Sequence, residues 1–309
     1  MADFRPFFTH STEADEVPGV KADFYNGLLK HGTHLAVMAM QIQTDNVRDL
    51  IRPLRGLYHF ANLAIKYRLY GFSRLLFASI WSFAKNFPLS VTPTTYIEIS
   101  HALGCLECNR KNYTRAALFH VEAIRAKRAF VDADTDLIAA ISRISVGILA
   151  LYLDPERKKG FVKRNLLSGI SFFREKCVFD DLYYPTIVCG YSSACHVLYG
   201  DNELDRTLSV IDEYRMFAEK YKAGVKSEAC LRQARDDEAR IALIEIYSCR
   251  DLGDGEKAHA ICNEFLKKHS TGSTAHEREI ISMVECIMKE TRAGGVFYRA
   301  TGNADFKEM

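Results

Sequence analysis

The sequence predicts an all-α protein, and three features of the chain support this fold class. Apolar residues recur with the 3.6-residue period of a helix along most of the 309 residues, and no stretch of useful length alternates as a strand would. The 7 prolines and 18 glycines lie mostly between the periodic segments. Short polar turns such as NRKN, YGDN and LGDG join neighbouring segments, which is typical of antiparallel helix hairpins. We therefore predict a stack of such hairpins.

The helical period divides the chain into twelve predicted helices, which form one repeat domain over residues 19–291. We expect residues 1–18 to be loosely ordered and residues 292–309 to form a flexible tail. Pro53 should kink or interrupt the second helix, because proline lacks a backbone N–H and its ring clashes with the preceding turn. In chain order, the predicted helices span 21–41, 45–70, 72–86, 93–109, 113–130, 134–153, 156–177, 182–199, 203–222, 226–251, 255–269 and 275–291.

Several predicted helices begin with residues that satisfy a helix N-terminus. Thr92 offers a hydroxyl as N-cap, and Pro93 follows at the first helical position, where a missing N–H costs nothing. The run 154–156 (DPE) has the same character and places acids beside the positive end of the helix dipole. Thr274 and Glu277 have the spacing of a capping box, so a last long helix should begin there.

Residues 101–123, HALGCLECNRKNYTRAALFHVEA, allow two interpretations. His101, Cys105 and Cys108 could belong to a metal or redox site, because imidazole and thiolate groups bind zinc and iron. Zinc sites of the C-x-x-C type normally need a second cysteine pair, which the sequence does not supply. The three residues also share one helical stripe, so groove lining or buried core is the favoured interpretation. A metal-dependent or redox-dependent helical protein is kept as an alternative.

The same stretch resembles the tetratricopeptide repeat (TPR), a 34-residue helix–turn–helix unit. The resemblance is carried by Leu103-Gly104, Tyr113, Ala116 and Ala123, which have the family's spacing. Small residues let the two helices of a unit cross closely, and the tyrosine fills the wedge at the turn. The resemblance implies a right-handed α-solenoid of about six stacked antiparallel helix hairpins. Weaker copies of the Tyr, Ala, Ala pattern are predicted at Phe72, Leu75 and Ser82, at Leu204, Thr207 and Tyr214, and at Gly255, Ala258 and Phe265.

If the resemblance holds, the first helix of each unit lines a concave groove, as in TPR proteins. The side chains at these positions are aromatic, small or sparsely polar, which suits a helix or extended peptide from a partner protein. They differ from the two-lysine, two-asparagine clamp of chaperone-binding TPRs. The alternative is that long helices close the groove and that these residues are core. The implied partner-binding groove comprises Phe60, Tyr67, Glu98, His101, Cys105, Asn109, Ser192, His196, Tyr199, Arg240 and Tyr247.

Other polar patterns predict structural roles more readily than chemistry. His31 and His34 could share a helical face, but no companion acid motif accompanies them, so we expect solvated or partly buried histidines. The run 132–136 (DADTD) resembles the start of a calcium loop, but the glycine and glutamate required at positions 6 and 12 are missing. Basic residues near the turns leave RNA binding as an alternative function: Arg110, Lys111, Arg115, Arg125, Lys127, Arg128, Arg157, Lys158, Lys159, Lys163 and Arg164.

The bulk composition favours a cytoplasmic or nuclear protein. Nine cysteines, an odd number scattered along a long chain, indicate reduced thiols, and a net charge of +2 gives no general attraction to nucleic acid or membranes. We find no secretory signal and no run approaching about 18 uninterrupted apolar residues, so membrane insertion is not expected.

No catalytic motif or cofactor fingerprint is present in the sequence. We therefore expect a non-catalytic scaffold or adaptor without a cofactor or metal. It should bind protein partners through the concave groove and form part of a larger complex. The last predicted helix, 275–291, is apolar on one face, so we also predict a contact surface at the C-terminal end, for the tail or for another subunit.

Overall fold

The structure is a computed structural model that describes residues 51–66, 69–87, 90–130, 135–154, 159–175, 179–269 and 274–292. Within these residues the chain forms eleven α-helices and no β-strand, which confirms the all-α prediction for this part of the protein. The helices are α1 (Ile51–Lys66), α2 (Tyr70–Asn86), α3 (Pro93–Asn109), α4 (Tyr113–Ala129), α5 (Asp136–Leu153), α6 (Lys159–Ile170), α7 (Tyr184–Gly200), α8 (Leu204–Tyr221), α9 (Glu228–Asp251), α10 (Gly255–Lys268) and α11 (Ala275–Arg292).

The boundaries agree with the sequence prediction to within a few residues for most helices. The clearest difference is α6, which we predicted to run to residue 177; it ends at Ile170 and continues as a 3₁₀ turn, Ser171–Arg174. The predicted helix 21–41, the histidines within it and the tail beyond Arg292 lie outside the described residues. The kink predicted at Pro53 falls at the edge of the described part.

Two predicted helix caps are present with their expected bonds. The Thr92 hydroxyl accepts from the backbone N–H of Thr95 at 3.2 Å, and the Thr274 hydroxyl accepts from that of Glu277 at 2.9 Å. The carboxylate of Glu277 also contacts the His269 ring at 2.5 Å. Each cap satisfies a backbone donor that the helix itself leaves unpaired.

The turns of three hairpins share one geometry. Lys111, Asn202 and Gly253 follow α3, α7 and α9 with φ of 61°, 60° and 84°. After α3, Lys111 N–H donates to Cys108 O at 2.8 Å and the next N–H donates to Glu107 O at 2.9 Å. This is the Schellman pattern, which satisfies the last carbonyls of a helix. The same pair of bonds recurs in the other two turns, so the hairpin repeat is visible in the backbone itself.

The described residues fall into two compact units, and the boundary between them in the chain lies between Ser142 and Arg143, within α5. In the N-terminal unit, α1 packs on α2, α2 on α3 and α3 on α4, so that each helix contacts its neighbour in sequence. The hydrophobic core of this unit draws residues from all four helices: Leu54, Leu57, Ala61, Phe77, Ile80, Ile99, Leu103, Leu106 and Phe119.

The predicted repeat register in α2 is wrong by two residues. Leu75, assigned to the first small-residue position, is 57% exposed, and Ser82 is also exposed. The equivalent of Ala116 is Ser73, which is fully buried and donates to the α1 backbone at Ala61 O over 2.8 Å. A bulky leucine could not enter this close crossing. By contrast, the assigned positions Thr207, Tyr214, Ala258 and Phe265 of the C-terminal unit are all buried.

The C-terminal unit has two layers. Helices α7, α9 and α11 pack side by side, and we call them the A layer. Helices α8 and α10 form the B layer: α8 packs on α7 and α9, and α10 packs on α9 and α11. Buried carboxylates of α9 are bound from the B side, where Arg215 pairs with Glu245 and Lys222 pairs with Glu238. The other side of α9 is left to contact its A-layer neighbours.

Helix α5 meets the length and composition of a membrane-spanning helix, with a mean hydropathy of 1.8 over 18 residues. No spanning helix was expected here from the sequence, because Arg143 and Asp154 limit the uninterrupted apolar run to the ten residues ISVGILALYL. About six tenths of the segment (61%) is buried within the structure, and a buried core helix has the same composition.

Candidate functional site

Two tyrosines form an ordered pair on the A-layer face. The rings of Tyr199 (α7) and Tyr247 (α9) stack with centroids 6.2 Å apart. The Tyr199 hydroxyl donates to Asp251 Oδ2 at 2.8 Å, and burial together with this carboxylate raises the pKa of Tyr199. The guanidinium carbon of Arg250 lies 4.7 Å from the Tyr247 ring centroid. Both rings are partly exposed and held in place, so they offer a pre-organised aromatic surface.

Arg240 of α9 connects this face to α11. Its Nε donates to His276 Nε2 at 2.8 Å, and its Nη1 lies 3.3 Å from Asp237 Oδ1. His196 of α7 is exposed to solvent on one side. The surrounding protein lowers the pKa of His196, and the positive charges of Arg240 and Lys159 lower it further. The predicted groove residues His196, Tyr199, Arg240 and Tyr247 therefore lie on one face of the C-terminal unit.

Ser192, also predicted to line the groove, is buried instead. Its side chain and that of Cys189 hydrogen-bond to Asp237 beneath the A-layer face. Burial raises the pKa of Asp237, an effect that Arg240 and these hydrogen bonds partly oppose. Ser192 thus supports Asp237 from within the unit and does not form a contact surface.

In the N-terminal unit the predicted groove residues are largely inaccessible. His101 and Cys105 are 4% and 3% exposed, which corrects their assignment as groove lining. Phe60 and Asn109 are partly buried, and Tyr67 lies outside the described residues. Glu98 is also partly buried and accepts a hydrogen bond from Tyr58 at 2.6 Å. The open groove predicted for this unit is filled where His101 and Cys105 lie.

His101 is buried against a second histidine, His120. The rings of His101 (α3) and His120 (α4) meet edge to face at 5.2 Å, and His101 Nδ1 lies 2.9 Å from the Ser142 hydroxyl of α5. Burial lowers the pKa of His101 to about 4 and lowers that of His120 well below its usual value, the latter helped by His101. Both imidazoles are therefore neutral near pH 7.

The geometry of this cluster does not fit the metal or redox alternative. Cys105 Sγ lies 3.5 Å from His101 Nε2, but in the described part of the chain no three histidine, cysteine or acidic side chains are grouped closely enough to hold a metal ion. Burial raises the pKa of Cys105 to about 12 and also raises that of Cys108. Thiol redox chemistry requires the thiolate, which this environment disfavours.

We expect the neutral histidine pair to make the N-terminal unit acid-sensitive. A histidine whose pKa is lowered in the folded protein does not reduce the free energy of unfolding above pH 6.5. As the pH falls from 6.5 toward the pKa of the folded protein, only the unfolded state gains the proton, so the free energy of unfolding decreases. For His101, with a folded pKa of about 4, the loss reaches about 3 kcal/mol near pH 4. Urea unfolding between about pH 7 and pH 5 measures this slope.

Two variants isolate the contribution of His101. Asparagine at this position can still bond Ser142 and does not titrate, so H101N should show a shallower pH slope than the wild type. The exposed His59 of α1 provides the matched control, and H59Q should keep the full slope. Equal pH slopes for all three proteins would contradict the assignment of this acid sensitivity to His101.

Several basic residues proposed for RNA binding already pair with acids. Lys163 donates to Asp201 at 2.7 Å and also contacts Glu203, and Lys127 lies 2.8 Å from Asp136. Arg110, Lys111 and Arg115 are exposed around the α3–α4 turn, whereas Arg157 and Lys158 lie outside the described residues. Lys127 and Lys163 are therefore engaged within the protein, and RNA binding by the exposed basic residues stays a prediction.

The apolar face of α11 is covered within its own unit. Ile280, Val284 and Ile287 are at most 4% exposed and pack with residues of α9 and α10. The opposite face exposes polar side chains, among them Arg278, Glu285 and Lys289. This packing accounts for the apolar pattern from which a C-terminal contact surface was inferred. A contact through residues 293–309 remains a prediction.

Sequence reasoning missed the acidic residues and the histidine that organise the A-layer face. Asp237 lies one helical turn before Arg240, and Asp251 lies one turn after Tyr247, so both spacings could have been noticed. His276 gives no comparable signal, because its contact with Arg240 joins α9 and α11 across 36 residues.

Comparison with known proteins supports the fold and assigns no activity. No family model matches the sequence, and no curated protein matches it. Among solved structures, BtubC (BKLC) from P. vanneervenii is similar with a TM-score of 0.50 and 12% identity, over 90% of this chain and 96% of that one. The apo form of RapI gives a TM-score of 0.49 and 11% identity, over 88% and 73% of the two chains. At such low identity the likeness to BtubC, a helical-repeat protein, shows a helical-repeat fold and nothing further.

Proposed function

We propose that this chain is a non-catalytic, TPR-like scaffold or adaptor for protein–protein interaction, and that it serves as a subunit of a larger complex in the cytoplasm or nucleus. In this proposal the A-layer face of the C-terminal unit holds a segment of a partner protein. One observation carries the proposal: α7, α9 and α11 place partly exposed tyrosine, arginine and histidine side chains beside one another.

The residue types on this face are those that dominate protein interfaces. Tyrosine and arginine are enriched among the few side chains that supply most of the binding free energy. Tyr199 is fixed by its bond to Asp251, and Tyr247 is stacked between Tyr199 and Arg250. Since these side chains are ordered before binding, they lose less conformational entropy when a partner binds.

The chemistry of the nearby thiols favours a binding role over nucleophilic catalysis. A catalytic cysteine needs a lowered pKa, which maintains the reactive thiolate near neutral pH. Burial instead raises the pKa of Cys189 and Cys195 on α7, and neighbouring carboxylates raise both further. These thiols are held protonated.

Affinity capture with defined variants tests the proposed function. The full chain is used as bait in an extract of its native source, and the captured proteins are quantified for the wild type, Y247A and M216A. Loss of a central interface tyrosine should weaken capture of a stoichiometric partner about 30-fold. Met216 is 70% exposed on the B-layer helix α8, so M216A should capture as the wild type does. Capture lost in M216A and retained in Y247A would place the interface on the B layer and contradict the proposal.

A further inference from the structure

The centre of the A-layer face contains a guanidinium group that is only partly engaged. Two nitrogens of Arg240 contact His276 and Asp237. Within the described residues, no protein acceptor is bonded to its third nitrogen, Nη2, which is not enclosed in the protein. Arginine prefers bidentate contact with planar anions, so a group with two acceptor oxygens would complete the coordination of this side chain.

Two cationic side chains, Arg240 of α9 and Lys159 of α6, act on the imidazole of His196, which remains open to solvent. Lys159 Nζ also lies 4.0 Å from Asp201 Oδ1, at the outer limit of an ion pair. The nearest carboxylate, Asp237, is already bound by Ser192 and Cys189, and burial disfavours its charged form. Other ionisable groups on the packed elements include Lys163, Asp201, Glu203, Asp236, Asp251, His276 and Glu279.

Most of these other groups are already paired. Asp201 binds Lys163 and lies 4.0 Å from Lys159, Glu203 binds Lys163, and Asp236 accepts a hydrogen bond from Thr274 at 2.6 Å. Glu279 is largely exposed and lies 3.6 Å from the His276 ring. An anion placed between Arg240 and His196 would provide acceptors for the open Nη2 of Arg240 and would offset the positive field of Arg240 and Lys159 at the imidazole.

We propose that Arg240, His196 and Lys159 form an anion subsite that takes a carboxylate from an acidic segment of a protein partner. The proposal rests on the function proposed above and specifies the chemistry of the bound segment. Tyr199 lies one turn beyond His196 on α7, so apolar atoms of the same segment would pack on the tyrosine pair.

The surroundings favour an isolated carboxylate over a nucleic-acid backbone. Asp251 is bonded to Tyr199 beside the subsite, and Asp201 and Glu203 occupy Lys163 at the end of α7. A continuous row of phosphates would meet these carboxylates, whereas a single acidic side chain can avoid them. RNA binding requires several unpaired cations along a path, which the described face does not offer.

Proton uptake should accompany binding. A bound carboxylate offsets the field of Arg240 and Lys159 at His196, so it raises the pKa of that imidazole relative to the free protein. Because the complex then binds more protons than the free protein, affinity should increase as the pH falls through the titration range of His196. This coupling between binding and protonation of His196 distinguishes a carboxylate bound at the subsite from one attracted by long-range charge.

The test uses the full chain with carbon-13-labelled histidine and a hexaglutamate peptide as probe, followed by NMR at low salt. We expect saturable shifts of the His196 ring signals, a raised His196 pKa in the complex and weaker binding in added salt. R240Q should reduce affinity about tenfold or more, the loss typical of a charged hydrogen bond. Arg232, exposed on the same helix, gives the matched control R232Q, which should bind as the wild type does.

Three results would overturn the subsite. They are unchanged hexaglutamate affinity in R240Q, equal losses in R232Q and R240Q, and tighter binding of polyuridylate or inorganic phosphate than of hexaglutamate. H196Q provides a second variant at an exposed position if R240Q fails to fold; unchanged affinity and pH dependence in H196Q would count against the subsite. The outcome is separable from that of the proposed function. Partner capture that depends on Tyr247 but not on Arg240 removes only this inference.

Discussion

Replacing Arg74 with methionine should destabilise the N-terminal unit by about 3 kcal/mol, because it leaves a buried carboxylate without its cation. Arg74 Nη1 of α2 lies 3.2 Å from Glu107 Oε1 of α3, and the two side chains are 20% and 2% exposed. Water can reach the arginine in part but not the glutamate. Removing the arginine therefore costs more than the small contribution of a surface ion pair.

Loss of Arg74 should also affect the α3–α4 turn, because Glu107 makes further contacts there. Its second oxygen accepts from the side chain of Asn112 at 3.1 Å, and its backbone carbonyl accepts from the N–H groups of Arg110 and Asn112. The residue therefore joins α2 to the Schellman turn between α3 and α4. We expect R74M to shift the urea midpoint of the unit, with the loss of helix followed by circular dichroism.

Two further variants test whether the unpaired carboxylate of Glu107 causes the loss of stability in R74M. R55M removes an exposed arginine of α1 in the same unit and should change the free energy of unfolding by less than about 0.5 kcal/mol. The double variant R74M/E107M removes both charges, so it should recover part of the stability lost in R74M, since paired replacement of buried ions by apolar groups is often tolerated. Additive losses in the double variant would mean that the charge is not responsible.

Local signals explain why the hairpin architecture could be predicted from the sequence. The cap at Thr92 and the turn at Gly253 depend on residues within a few positions of one another. The small residues Thr207 and Ala258 are likewise buried at the predicted crossings. In α2 the register failed because the side chain at the crossing is Ser73. Its hydroxyl donates to the backbone carbonyl of Ala61 on α1, a contact that the sequence does not reveal.

The candidate site was less predictable, because it depends on which side of each helix is covered. The helical stripe through His101 and Cys105 was correctly placed along α3, but its burial is caused by His120 and Ser142, which are 19 and 41 residues away. On α7 a similar stripe divides: Ser192 is buried while His196 is exposed one turn later. Helical periodicity identifies such a stripe, and only the packing of neighbouring helices decides which members reach solvent.

Alanine at Gly104 should destabilise the protein by about 2 kcal/mol, although alanine favours helix over glycine by about 1 kcal/mol. A Cβ at this position would lie 2.6 Å from His120 Nε2 and 2.7 Å from its Cδ2 and Cε1. The His120 ring is fully buried against His101, so it cannot swing into solvent to make room. Gly71 of α2 has no atom within 4 Å of an added Cβ, so G71A should be neutral or stabilising in the same urea measurement.

A double-mutant cycle identifies the obstacle. H120A alone should be destabilising, because it empties a packed position, but it also removes the ring that an added Cβ at residue 104 would strike. In that background G104A should cost nothing or stabilise, which gives a coupling energy of about 2 kcal/mol. If G104A were as destabilising in the H120A variant as in the wild type, the obstacle to a Cβ at residue 104 would be the α3 backbone and not the imidazole. The expected coupling would mean that the Leu-Gly pair of this repeat is matched to a histidine on the second helix, a partner that the repeat pattern itself does not specify.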